Sequence, residues 1–135
     1  MSTVSLTLDE IFDLAKKTLL ANGCDDETAS ILSDLIRNAE RDGSVSHGLF
    51  RLPAYVSGLK SGKINGKGKP EVKKISSSVI KVQGNNSLAP VVLNKSLPEL
   101  SKAAKENGVA VLAINNSHHM AAMWPETEKL AEDGL

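Results

Sequence analysis

Several classes of protein are excluded by what the sequence lacks. It has one cysteine, Cys24, so it contains no intramolecular disulfide, and reducing cytoplasm is the expected location. Its 16 basic residues equal its 16 acidic ones, so net charge points to neither nucleic acid nor a membrane as a partner. No apolar run approaches a membrane span, and the acidic start lacks the basic region of a signal peptide. The 41% hydrophobic and 24% charged residues are typical of a folded domain.

Common catalytic and nucleotide-binding motifs are also missing. Residues 66–68 (GKG) lack the third glycine of a dinucleotide fingerprint, and segments 58–63 and 62–67 are each one residue short of a phosphate loop. One cysteine, three histidines and no His-Glu-x-x-His pattern argue against a structural zinc site. A nucleophile elbow is absent from the sequence as well. Neither a Rossmann nor a P-loop protein is therefore expected.

The first 60 residues predict three amphipathic helices. Residues 7–10 (TLDE) have capping-box spacing, which predicts a helix start near Leu8. Gly23 ends that helix, Asp25 can cap a second one, and Gly43 is its expected left-handed stop. A third helical pattern follows, and Pro53 is compatible with it only in the first turn or at a kink. We therefore expect that helix to start close to Ser46 and His47.

The remaining residues alternate between strand and helix patterns. Segment 61–70 has the composition of a loop, and segments 72–75 and 79–83 predict a β-hairpin. A helical pattern then runs to Gly108 with an interruption at Pro98, which predicts two short helices or one kinked helix. Residues 109–114 are almost purely apolar, as expected of a strand covered on both faces, and 126–135 predict a last helix.

The first candidate site is segment 46–51 (SHGLFR). If residues 47–51 are helical, His47 and Arg51 lie on one face. An imidazole can donate a proton near neutral pH, a guanidinium can hold a carboxylate by two parallel bonds, and Ser46 could orient the ring. The structural alternative is a plain helix cap at Ser46, an exposed histidine and a surface ion pair at Arg51.

The second candidate site follows the predicted apolar strand. Segment 116–119 (NSHH) precedes a methionine-rich stretch that ends at Trp124. A flat apolar wall beside imidazoles suits a planar ring ligand. The alternative is that Met120, Met123 and Trp124 belong to the core of the last helix and that the asparagine and serine form a turn.

Charge is balanced globally but not locally. Residues 1–40 are mainly acidic, whereas residues 41–81 are mainly basic. The preferred interpretation is a solvated lysine-rich turn packed near an acidic helical face. The alternative is an anion-binding interaction module, which predicts salt-sensitive binding to a polyanion. The interleaved aromatic residues of a single-strand nucleic-acid binder are missing.

The two polar clusters together resemble a known family. Residues 42–55 (DGSVSHGLFRLPAY), 62–65 (GKIN) and 116–119 are similar to the malate/L-lactate dehydrogenase-like family of NAD(P)-dependent oxidoreductases, which is distinct from the better known lactate and malate dehydrogenases. In most of that family the second motif continues with Phe-Gly, but here residues 119–126 read HMAAMWPE. That departure resembles the branch of delta-1-piperideine-2-carboxylate and delta-1-pyrroline-2-carboxylate reductases.

The resemblance implies an α/β, non-Rossmann malate/L-lactate dehydrogenase-like fold and a homodimer. It implies that His47, with Ser46 beside it, is the catalytic acid/base and that Arg51 binds the substrate carboxylate. The expected cofactor is NADP or NAD, with NADPH favoured. The residues expected along that cofactor are His119, Met120, Ala121, Ala122 and Met123.

The resemblance also bears on the extent of the protein. Members of the family are more than twice this long, so residues 1–135 are expected to be an N-terminal portion, helical over 1–60, α/β over 70–135, and inactive alone. The expected substrate is a small cyclic imino acid or a related 2-oxo acid, with no nucleic-acid or membrane partner and no metal. The alternative within enzymes is a 2-hydroxy acid dehydrogenase of the malate, lactate or ureidoglycolate type.

Overall fold

The computed structural model describes residues 4–118 and 121–135 as helices around a small mixed sheet. The sheet has the order β1-β2-β3, with β2 antiparallel to β1 and parallel to β3. In chain order the elements are α1 (Leu8–Ala21), α2 (Asp26–Arg41), 3-10 turns at Val45–His47 and Leu49–Arg51, α3 (Leu52–Lys60), β1 (Glu71–Lys74), β2 (Val79–Gln83), α4 (Ala89–Asn107), β3 (Val111–Asn115) and α5 (Trp124–Glu132).

The starts of α1 and α2 are those that the sequence predicts. Thr7 and Glu10 form the reciprocal capping box, with the Glu10 N–H donating to Thr7 Oγ1 at 3.2 Å and the Thr7 N–H to Glu10 Oε2 at 2.8 Å. Asp25 caps α2 by accepting the Thr28 N–H at 2.9 Å. Both helices bury their apolar faces in one core cluster, which includes Leu19 of α1 and Leu32 of α2, both fully buried. This cluster supports the end of α2, from which the candidate site extends.

The third helix begins later than predicted. Helix α3 starts at Leu52, with Pro53 in its first turn, and two 3-10 turns precede it. The turns are separated by Gly48, whose φ of −86° and ψ of −138° are not helical. Residues 47–51 therefore do not form one helix, so the condition under which His47 and Arg51 would share a helical face is not met.

The predicted hairpin is confirmed, and α4 packs on one face of the sheet. Ile80 and Val82 of β2 are buried against Val92 and Ala103 of α4. In β3 the side chains alternate, with Leu112 and Ile114 packed toward that cluster and the others exposed. Within the described residues a helix covers only one face of this strand, so the predicted cover of its second face is not found there.

Helices α4 and α5 settle two open expectations. Helix α4 is a single helix that continues through Pro98, and the Ser96 hydroxyl donates to the Val92 carbonyl at 2.7 Å instead of capping a new helix. Helix α5 begins at Trp124, two residues before the predicted start, and Gly134 follows it with a φ of +82°. Within residues 4–118 and 121–135, no helix has the length and apolar character needed to cross a membrane.

Candidate active site

The His47 imidazole is held by two serine hydroxyls. Nδ1 lies 3.1 Å from the Oγ of Ser46 and 3.2 Å from the Oγ of Ser44. The sequence suggested Ser46 as the partner of the ring but not Ser44. The signal that could have identified Ser44 is its spacing of three residues, which a 3-10 turn brings onto the same side as His47.

This arrangement suits a residue that gains and loses protons. A hydroxyl can both donate and accept, so one of the two serines can satisfy Nδ1 whether or not that nitrogen carries a proton. The ring therefore keeps its hydrogen bonds in both charge states. Among the described residues, no side chain lies within hydrogen-bond distance of Nε2 of His47, so this second nitrogen is the one open to a ligand.

A contact between α2 and the 3-10 turns fixes the backbone beside His47. Glu40, in the last turn of α2, accepts the backbone N–H of Leu49 at 2.7 Å. The Glu40 carboxylate lies against Gly48, where an added Cβ would be 2.5 Å from Cδ and 2.8 Å from Cγ of that side chain. This contact therefore requires a glycine at residue 48. The non-helical backbone of that glycine interrupts the helical path between His47 and Arg51.

Arg51 is tied to the residue next to His47. Its Nε donates to the Ser46 carbonyl at 2.9 Å, and the side chain is half-buried. No described side chain bonds to its two Nη atoms, so the outer edge of the guanidinium is available for an anion. One turn on, burial raises the pKa of Tyr55, and the positive charge of Arg51 opposes that rise.

Trp124 brings the segment after β3 to the imidazole. The Trp124 and His47 ring centroids are 5.9 Å apart with an interplanar angle of 83°, which is an edge-to-face contact. The pKa of Asp42 is lowered mainly by the hydrogen bond from Arg41, at 2.7 Å, and by a smaller contribution from the Trp124 side chain. The end of α2, the first 3-10 turn and the start of α5 thus meet at one place.

The second polar cluster is placed by backbone hydrogen bonds. The His118 N–H donates to the Ser87 carbonyl at 2.8 Å, and the His118 carbonyl accepts the Ala89 N–H at 3.2 Å. Asn116 makes the turn after β3 with a φ of +50°. This pairing continues the β2–β3 ladder to the start of α4.

The residues predicted to lie along a cofactor are only partly described. His119 and Met120 lie outside the described residues. Ala121 is half-buried, Ala122 is buried, and Met123 is 69% exposed. Met123 is therefore not a core residue of the last helix, unlike in the structural alternative. Its apolar side chain is exposed next to Trp124, whose ring contacts His47.

Two other candidate features lie elsewhere. In the basic stretch, Lys69 pairs with Asp25 at 2.8 Å and Glu27 at 3.1 Å, so the lysine-rich turn packs on the acidic start of α2 as preferred from the sequence.

Among the described residues, no group of three His, Cys, Asp or Glu side chains is arranged to hold a metal ion. A groove of about 290 Å³ between α2, α4 and α5 is lined by Pro125 and Glu126 but by none of the predicted site residues.

Known proteins resemble this chain along nearly its whole length. It is 38% identical over 133 residues to a Delta(1)-pyrroline-2-carboxylate/Delta(1)-piperideine-2-carboxylate reductase of Pseudomonas syringae pv. tomato, covering 98% of this chain and 39% of the relative. A protein of the same description from Pseudomonas putida is 37% identical over 99% of this chain and 39% of its own length. The chain thus spans about two fifths of these relatives.

Solved structures show the same relation. The crystal structure of delta1-piperideine-2-carboxylate reductase from Pseudomonas syringae matches with a TM-score of 0.92 and 38% identity, over 98% of this chain and 40% of that one. Malate dehydrogenase from Pyrococcus horikoshii OT3 matches with a TM-score of 0.88 and 30% identity, over 97% of this chain and 38% of that one. The predicted malate/L-lactate dehydrogenase-like fold is confirmed by these matches.

A sequence model of one family covers nearly the whole chain. The model described as malate/L-lactate dehydrogenase matches residues 6–135, a range that contains both polar clusters and all the described helices and strands. With the structural matches, this range decides the assignment. The chain belongs to the malate/L-lactate dehydrogenase family.

Proposed function

We propose that this chain supplies the acid/base and carboxylate-binding groups of an NAD(P)H-dependent oxidoreductase that reduces cyclic imino acids. The observation that carries the proposal is the His47 imidazole, bound at Nδ1 by two hydroxyls and packed on Trp124, with Nε2 open and Arg51 attached one residue away. The names of the similar reductases support the substrate class.

The role of His47 follows from the chemistry of the substrate class. A cyclic imine accepts a hydride at carbon more readily when its nitrogen is protonated, so the site needs a group that holds a proton there. The Nε2 atom of His47 would hold or deliver that proton, while Ser46 and Ser44 keep the ring oriented through Nδ1. No nucleophile is needed, because no covalent intermediate with the protein forms.

Arg51 would orient the substrate. Its Nε is bound to the Ser46 carbonyl, so the remaining Nη edge can accept a carboxylate by two parallel bonds. Both groups are anchored to Ser46, so a ring that carries its carboxylate next to the imine would meet Arg51 and His47 together. Such orientation can lower a reaction barrier by several kcal/mol.

The described residues fit a nicotinamide cofactor beside His47. Ala121 and Ala122 have small side chains, and Met123 exposes an apolar one next to Trp124, which is the kind of surface on which a planar ring packs. We assign His119 to Met123 to this role. The cofactor would supply the hydride, and the chain would bind it and exclude water. NADPH is the favoured form.

The wider setting is proposed on the same basis. The chain spans 39% of the length of the similar reductases, so we propose that it acts as the N-terminal portion of a longer enzyme. That enzyme would be a cytoplasmic homodimer acting on a small molecule. The exposed apolar side chains of Val45, Phe50 and Val111 are surfaces that further chain or a second subunit would cover.

The test is the substitution His47→Ala in the full-length enzyme. Loss of the general acid is expected to reduce kcat by about 10²- to 10⁴-fold, while NADPH binding, followed by its fluorescence, changes little. The matched variant Arg51→Lys keeps the charge but loses the planar fork, so we expect it to raise the KM for the imino acid more than it lowers kcat. Near-normal turnover of the His47 variant would refute the assignment.

A substrate panel distinguishes the two enzyme classes. Cyclic imines with a 2-carboxylate, 2-oxo acids and malate would be compared by kcat/KM with NADPH and NADH. We expect the imines to be preferred. Preference for a 2-oxo acid would instead favour the malate or lactate type, to which the similarity with the Pyrococcus horikoshii malate dehydrogenase points.

A further inference from the structure

Trp124 lies in the segment that follows β3, and its indole ring contacts the His47 imidazole. The two rings meet edge to face at 5.9 Å, and the half-buried indole lies at the first residue of α5. Neither the carboxylate-binding role of Arg51 nor the hydroxyl contacts of His47 involves this residue. Its place in the site therefore needs an explanation of its own.

The hydroxyl contacts hold the imidazole at one atom. Ser44 and Ser46 both bond to Nδ1, so these hydrogen bonds lie on one side of the ring. A bulky ring packed against the imidazole adds a second kind of contact and further limits its tilt. Aromatic pairs of this geometry stabilise one orientation beyond the area that they bury.

The indole is itself held on a second side. The Trp124 side chain lies near the carboxylate of Asp42, which Arg41 holds at 2.7 Å. The Thr127 hydroxyl donates to the Trp124 backbone carbonyl at 2.9 Å, a contact within α5 that does not involve the indole. Trp124, the first residue of α5, thus contacts the end of α2. It joins the described part of the proposed cofactor segment, residues 121–123, to the proposed acid/base.

We propose that Trp124 is a positioning residue that sets the orientation of the His47 imidazole relative to the cofactor segment. The proposal rests on the proposed function, because it assigns Trp124 an effect on the proton held by His47. It predicts an effect on kcat through His47 without a matching effect on binding of the imino acid at Arg51.

The first experiment needs no activity, because Trp124 is the single tryptophan of the sequence. The emission of an indole depends on the ring packed against it, so the fluorescence of the chain should change in His47→Gln, which removes the ring contact. It should stay as in the wild type in the matched variant His118→Gln.

The second experiment uses the full-length enzyme. Trp124→Ala is expected to lower kcat about five- to tenfold with the KM of the imino acid within about twofold, and Trp124→Phe, which keeps a ring, should restore kcat to within about twofold. Thr127→Ala removes a side-chain hydrogen bond in the first turn of α5 but keeps the indole. It is the control for a structural effect, and its kcat should remain close to that of the wild type.

The outcomes separate the two proposals. A tryptophan fluorescence that is unchanged in His47→Gln, or a Trp124→Ala variant with unchanged kcat, overturns the positioning role even if His47→Ala is inactive. An equal loss of kcat in Thr127→Ala and Trp124→Ala overturns it as well. If the fluorescence depends on His47 but His47→Ala keeps its turnover, the contact stands and the proposed function fails.

Discussion

Gly48→Ala tests how the bend that carries His47 is held. An added Cβ would lie 2.5 Å from Cδ and 2.8 Å from Cγ of Glu40. The side chain of Glu40 must move, and it then loses the hydrogen bond that it accepts from the Leu49 N–H at 2.7 Å.

The size of the effect follows from that bond. A hydrogen bond to a charged group contributes about 1.5–3 kcal/mol, and the half-buried position of Glu40 favours the lower end because water replaces part of it. We expect Glu40→Ala to lower the free energy of unfolding by about 1.5 kcal/mol. Gly48→Ala loses the same bond and adds crowding, so we expect about 2 kcal/mol.

The assay is urea unfolding of the chain and of both single variants and the double variant, followed by circular dichroism. Once Glu40 is shortened, the added methyl group has room, so the double variant should be no less stable than Gly48→Ala, with a coupling of about 1.5 kcal/mol. Glu40→Gln, which keeps an acceptor, should be more stable than Glu40→Ala. Strictly additive losses would refute the reasoning, because they would mean that Gly48 and Glu40 act separately.

Two further predictions concern ionisable groups near the start of α2. Burial disfavours the ion of Asp25, but hydrogen bonds from Lys69 and Thr28 outweigh it and lower the pKa to about 2 from the ordinary 3.8. The ion therefore stabilises the fold above about pH 4, and this contribution is lost as the pH falls toward 2. Asp25→Asn should be less stable than the wild type at pH 7 and equal to it near pH 2, and a gap in unfolding free energy independent of pH would contradict this. Burial, with a smaller effect of Asp25, raises the pKa of Cys24 to about 11. Iodoacetamide at pH 8 should thus modify Cys24 at least about 100-fold more slowly than a free cysteine until urea unfolds the chain.

Local patterns were sufficient where the structure is determined locally. The capping box at Thr7, the Asp25 cap and the left-handed glycine at Gly43 all depend on residues within a few positions, and each is found where the sequence predicts it. The hairpin follows from alternation and turn residues in the same way. The bend at Gly48 depends on Glu40 from a neighbouring helix, so periodicity alone gave the wrong start for α3.

The site shows the same division. Ser46, His47 and Arg51 were predicted as site residues from one short segment, and the structure brings Ser44 to the same ring through a 3-10 turn. The contact of Trp124 with His47 joins residues far apart in the chain, so no local pattern predicts it. The exposed face of β3 could not be predicted either, because an apolar strand has the same sequence pattern whether its second face is packed or exposed.

The most direct test of the central claim is a crystal structure of the full-length enzyme with NADP and a cyclic amino acid, the product of imine reduction. The account predicts the carboxylate of that ligand on the outer edge of Arg51 and its ring nitrogen within hydrogen-bond distance of Nε2 of His47. A ligand whose carboxylate binds elsewhere, with His47 turned away from its ring nitrogen, would contradict the account.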